Sequence, residues 1–156
     1  MRFTVIPRLV VLALIAGAAV LTLSLSTGVA SVSASEQSGR FRGTKDCTAY
    51  HLHAADSCEI ATSNLAKIPV GSTLFYMTDQ TATIGITNFI DSNVVLDAGN
   101  GNRARGRCTF DVITNLGLCT FSDGTGELKG FEARINVSCP PADAPVCSLR
   151  GTYSVE

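Results

Sequence analysis

Four groups of residues in this 156-residue chain have types and spacings that could do chemistry. His51 and His53 stand two apart, so on a strand they face the same way, with Cys47, Asp56 and Cys58 nearby. Such a set could bind zinc. Arg103, Arg105 and Arg107 alternate along one strand face and could hold an anionic ligand or an acidic surface. Asp91, Asp97, Asp111 and Asp123 could supply paired carboxylates for acid–base work. Tyr50, Tyr76 and Tyr153, with several phenylalanines, could line a cavity or fill it.

Each group has a simpler reading. All six cysteines follow residue 46, and an even count behind an export signal points to three disulfides rather than thiolate ligands. The histidines are then partly exposed strand residues, and no metal is expected. The three arginines read as a solvated outer face or as guards of a sheet edge. Asp91, Asp97 and Asp123 sit among turn-forming neighbours, where Asp caps its own backbone, while Asp111 reads as an outer strand residue. No spacing matches a calcium loop, a phosphate loop, a nucleophile elbow or a His-Glu helix motif. The residues therefore name no catalytic group and no cofactor. Asn136-Val137-Ser138 is a glycosylation sequon, which matters only in a eukaryotic secretory pathway.

The elements that position these residues begin after an export signal. Arg2 and Arg8 precede an apolar run from Leu9 to about Leu25, and small residues follow, ending in Val32-Ser33-Ala34. This pattern predicts a signal peptide over residues 1–34, cleaved after Ala34, with Ala30 as the second choice. Uncleaved, the same run would anchor the chain in a membrane. The expected location is secreted or periplasmic. Cleavage removes two arginines and no acid, moving the formal charge from −1 to −3, which argues against a nucleic-acid partner. Residues 35–45 are polar and read as a flexible arm, leaving 46–156 as one domain.

That domain reads as all-β. Phe131, Ala133, Ile135 and Val137 alternate with Glu132, Arg134 and Asn136; Cys147, Leu149, Gly151, Tyr153 and Val155 alternate with polar residues. Cys139 keeps the apolar parity of its strand, and the proline-bearing loop to Cys147 suggests a disulfide across a hairpin mouth. Two Cys-Thr-Phe copies, Cys108–Phe110 and Cys119–Phe121, flank the turn residues Thr114–Gly117. A turn centred on Asn115 and Leu116 leaves Cys108 and Cys119 slightly out of register, an offset that a bulge could absorb. Sequence proximity suggests the pairs Cys47–Cys58, Cys108–Cys119 and Cys139–Cys147. Further strands are expected over Cys47–His53, Glu59–Lys67 (a short helix being the alternative), Ser72–Thr78, Thr81–Phe89, Val94–Leu96 and Ala104–Val112. Turns are expected at Asp91-Ser92-Asn93 and Asp97–Asn102. Eight or nine short strands in this rhythm predict a barrel or sandwich. Gly124 and Gly126 suit a tight turn with positive φ, and Gly130 a bend within a strand.

The stretch Thr120–Phe131, with its Gly124-Thr125-Gly126 turn, and the closing Gly151-Thr152-Tyr153-Ser154 resemble the signature of the dirigent and allene oxide cyclase superfamily, in particular its secreted bacterial members. The resemblance covers about the last third of the chain. It implies an eight-stranded antiparallel β-barrel with a central cavity, and in some members oligomers. Phe110, Phe121, Phe131, Ile135 and Tyr153 are the candidate cavity lining. Catalytic positions of the plant members find no match here, so none is carried over. Two functions follow as expectations: a non-enzymatic module binding a small apolar ligand or a surface partner, and a cofactor-independent cyclase or isomerase.

Overall fold

A computed structural model of the chain describes residues 37–48, 50–79, 88–140 and 145–156. The signal segment and most of the expected strand Thr81–Phe89 lie outside the described residues. The described residues form eight strands: β1 (Gln37–Asp46), β2 (Ser57–Ser63), β3 (Thr73–Tyr76), β4 (Phe89–Asp97), β5 (Arg103–Asp111), β6 (Leu116–Ser122), β7 (Glu132–Ser138) and β8 (Val146–Val155). Each pairs antiparallel with the next, and β8 returns to β1, closing the barrel in simple sequence order.

Period-two patterning explains the strands. Along β7, Ala133, Ile135 and Val137 are buried between exposed Glu132, Arg134, Asn136 and Ser138. Along β4, Ile90, Ser92, Val94 and Leu96 are buried on the inward parity. The expected turn at Asp91-Ser92-Asn93 is therefore continuous strand, because inward Ser92 keeps the alternation of a segment that local composition alone reads as a turn. The expected arm is also corrected: residues 37–46 form β1, which pairs with β8 along ten residues and, through its last four, Gly43–Asp46, with β2. Its inward side carries only one large apolar residue, Phe41, so the local pattern is weak, and the closure of the sheet supplies what the pattern lacks. Of the expected first strand, Cys47–His53, the described residues 47–48 and 50–53 are loop instead.

One end of the barrel is packed solid. Phe41, Ile60, Leu74, Leu96, Phe121, Ile135 and Leu149 meet there around a void of only about 20 Å³. Leu128 and Phe131, both fully buried, add to the same core. Leu128 sits in a short 3-10 turn, Gly126–Leu128, and Phe131 precedes β7 rather than belonging to it. Gly126 and Gly130 have φ of +61° and +68°, so both lie in this connection and not within a strand. Gly124 is needed for space: a Cβ there would fall 1.6 Å from the Leu128 carbonyl oxygen.

All three disulfides form, Cys47–Cys58, Cys108–Cys119 and Cys139–Cys147, with Cα separations of 4.3, 4.1 and 4.2 Å. Cys108 and Cys119 are direct cross-strand partners. The expected offset is absent, because a four-residue connection, 112–115, with Asn115 at φ +58° replaces the turn centred on Asn115 and Leu116. The other two bridges lie one residue beyond the pairs Asp46↔Glu59 and Ser138↔Ser148. Three disulfides fit an oxidising, extracytoplasmic environment.

Candidate functional site: a hollow barrel end with a buried lysine

At the end opposite the solid core the barrel is hollow. A cavity of about 500 Å³ opens there, and all six cysteines line it together with Lys45, Tyr50, Tyr76, Ile90, Phe110 and Val137. Its size and its mainly apolar wall are those of a small-molecule site. Exposed apolar side chains surround the mouth: Met77 after β3, Phe89 opening β4, Ile113 and Leu116 at the β5–β6 turn, and Val146 opening β8.

Lys45 is the unusual residue. It shares the inward parity of Phe41 and Gly43 on β1, which aims its four-carbon stem into the barrel and leaves the residue only 6% exposed. Opposite it, β2 carries a bulge: Thr44 faces Thr62 but Lys45 faces Ile60. The ammonium donates a hydrogen bond to the Tyr76 Oη at 2.5 Å. Among the described residues it has no acidic partner. Burial accordingly lowers its pKa from 10.5 to about 8.

Two tyrosines complete the cluster. Tyr76, inward on β3, is pushed above the ordinary phenol range by burial. Its Oη also lies 3.9 Å from Cys58 Sγ. Tyr50 packs against it with ring centroids 4.7 Å apart, and its own pKa is raised by burial first, then by Tyr76 and Asp56. The Tyr50 hydroxyl is buried without a hydrogen-bond partner among the described residues. Tyr50 reaches this place on the loop between β1 and β2. That loop is closed by Cys47–Cys58 and braced by Asp56, whose carboxylate accepts the backbone N–H groups of His51 (2.6 Å) and His53 (2.9 Å). Those two bonds hold the Asp56 carboxyl below the usual range.

The other residues singled out by sequence have structural roles. His51 and His53 lie in that loop, not on a strand, and their backbone groups do the work; no metal-binding cluster occurs among the described residues. Arg103 and Arg107 are outward on β5, and they pair with Asp97 (2.9 Å) and Asp91 on neighbouring β4. Asp91 is therefore a strand residue, and its carboxyl is lowered chiefly by the Arg107 hydrogen bond. Asp111 is, as expected, an outward strand residue, the last of β5, and it also caps the turn that follows by accepting the N–H groups of Ile113 (2.8 Å) and Thr114 (3.3 Å). Of the candidate lining, Phe110 faces the large cavity, whereas Phe121 and Ile135 fill the packed end. Phe131 is buried in the core, and half-buried Tyr153 lies over Gly39.

Lys45 lies in the polar segment 35–45, whose composition suggests an arm and hides its inward position. The signal was present: counting back from Cys47 in twos gives Lys45, Gly43 and Phe41, which are the inward residues. No family model matches the chain, nor does any curated protein or solved structure.

Proposed function

We propose that this barrel binds, in its hollow end, a small molecule with an apolar body and a carboxylate end. The observation that carries the reading is Lys45: a buried ammonium facing an apolar cavity without an acidic partner among the described residues. Charges enclosed in this way are normally paired. A ligand carboxylate against Lys45 Nζ would supply the missing charge, and the Tyr50 and Tyr76 hydroxyls are placed to donate to its oxygens. The likeness of Thr120–Phe131 to the dirigent and allene oxide cyclase barrels supports a ligand-holding interior. A second reading keeps the same site but gives it turnover, as a cofactor-independent cyclase or isomerase. Its support is the Lys45–Tyr76 hydrogen bond, a convergent pair able to move a proton.

Native mass spectrometry of protein purified from its own source should find a retained acid. In titrations with a medium-chain fatty acid and the alcohol of equal length, the acid should bind at least about tenfold more tightly, a difference of roughly 1.4 kcal/mol. Lys45→Met should erase that preference and leave alcohol binding unchanged. Equal affinities for acid and alcohol would reject the ion-pair reading, and conversion of a bound compound would favour the enzyme.

A further inference from the structure

The outer wall of β7, β8 and β1 carries an unbalanced charge. Arg42 and Arg150 are direct cross-strand partners, and Arg150 in turn faces Asn136. In the adjoining row, Arg40 and Arg134 stand on either side of Thr152. All four arginines are exposed and sit within two strand spacings, roughly 10 Å. None makes an ion pair among the described residues. Arg103 and Arg107 on β5, by contrast, each have a carboxylate on the next strand. The nearest strand acid, Glu132, lies two residues before Arg134 and pairs with none of the four. Like charges directly opposite each other on a sheet are destabilising. A chain of net negative charge has acids available, yet none is placed here.

The patch is also held in shape. Asn64 clamps β1 between its two outward arginines: its Oδ1 accepts the Arg42 N–H at 2.8 Å and its Nδ2 donates to the Arg40 carbonyl at 2.9 Å. Two shallow grooves, of about 340 and 330 Å³, share Arg42 and Arg150. Arg40 lines one of them, and the remaining outward side chains are hydroxyls and amides, including Thr62, Ser148, Asn136 and Thr152.

We propose that this wall binds an acidic polysaccharide. Guanidiniums grip carboxylate or sulfate groups through paired N–H donors, and the flanking hydroxyls and amides suit sugar hydroxyls. Nucleic acid fits less well, because no aromatic side chain stands exposed between these arginines to stack a base. Lipid fits less well too, because the large exposed apolar side chains lie at the cavity mouth, on β3 and at Val70, not within this patch. The disulfides fit an oxidising, extracytoplasmic environment, which is compatible with contact with polysaccharides outside the cytoplasm.

Polygalacturonate and neutral dextran immobilised on a sensor test this directly. The protein should bind the polyuronate, release it steeply as salt rises, and ignore dextran. Arg42→Gln with Arg150→Gln should weaken binding at least about tenfold while the melting temperature holds or rises, since a like-charge pair is removed. Arg40→Gln with Arg134→Gln should weaken it similarly, whereas Arg103→Gln and Lys45→Met should leave it unchanged. Lys45→Met keeps this test independent of the cavity. Unchanged binding in both double variants, equal binding to dextran, or preference for phosphatidylglycerol vesicles over the polyuronate would each overturn the proposal.

Discussion

An ammonium where Lys45 sits is destabilising while it remains charged. Its shift from 10.5 to about 8 corresponds to roughly 3 kcal/mol between its two protonation states. The folded state binds this proton more weakly than the unfolded chain does. Between about pH 8 and 10 the unfolded chain therefore holds more protons, and stability should rise with pH. Tyr50 and Tyr76 act the other way: burial raises both, so above about pH 10 the unfolded chain loses protons first and stability should fall. Urea unfolding at several pH values should show this rise and fall. Lys45→Met should remove the rise and stabilise the empty protein at pH 7 by about 1–3 kcal/mol, even after losing the hydrogen bond to Tyr76. A wild-type profile flat from pH 8 to 10 would put the ammonium in water. The cluster was half legible in the sequence. Tyr50 and Tyr76 are aromatic and read as interior candidates, whereas only the spacing from Cys47 marks Lys45 as inward, because Thr44-Lys45-Asp46 has the composition of a solvated segment.

Among the elements, the C-terminal strands were the legible ones. β7 and β8 alternate cleanly because each has one face on the core and one in water, and their register follows from the loop and the cysteines that flank it. β1 was illegible for the opposite reason: Gly43 and Lys45 occupy inward positions where apolar residues would announce a strand. The small residues have their own logic. Gly151 lies inward on β8, where a Cβ would fall 2.0 Å from the Arg134 carbonyl oxygen of β7. The two strands approach closely there. Gly151→Ala should therefore cost at least about 3 kcal/mol, by forcing backbone apart in a closed sheet. Gly99→Ala is the comparison: it sits at φ +82° with nothing within 4 Å, and should cost only about 1–2 kcal/mol of backbone strain. Thermal or urea unfolding of both variants measures the difference, and equal losses would mean that the closure can relax.

At the scale of the whole molecule, the barrel divides into a packed half and an open half. Hydrophobic contact holds the first, where Phe41, Phe121, Phe131 and Leu128 leave almost no void. The second lacks that filling, and all three covalent bridges lie there. Cys139→Ser with Cys147→Ser should cost about 2–3 kcal/mol by loop entropy while the fold survives on two bridges. Hydrogen exchange should accelerate at amides near the cavity and stay slow around Phe131; uniform acceleration would mean that the two halves open as one. The placement of the bridges would also link the residence of the proposed ligand to redox chemistry. Oxidised, the three bridges tie neighbouring rim strands together and resist splaying of the hollow end. Reduced, those walls lose their covalent ties and can part. If the hollow end holds the proposed ligand, its retention time should therefore shorten when a reductant is added, and a reducing compartment would favour its release.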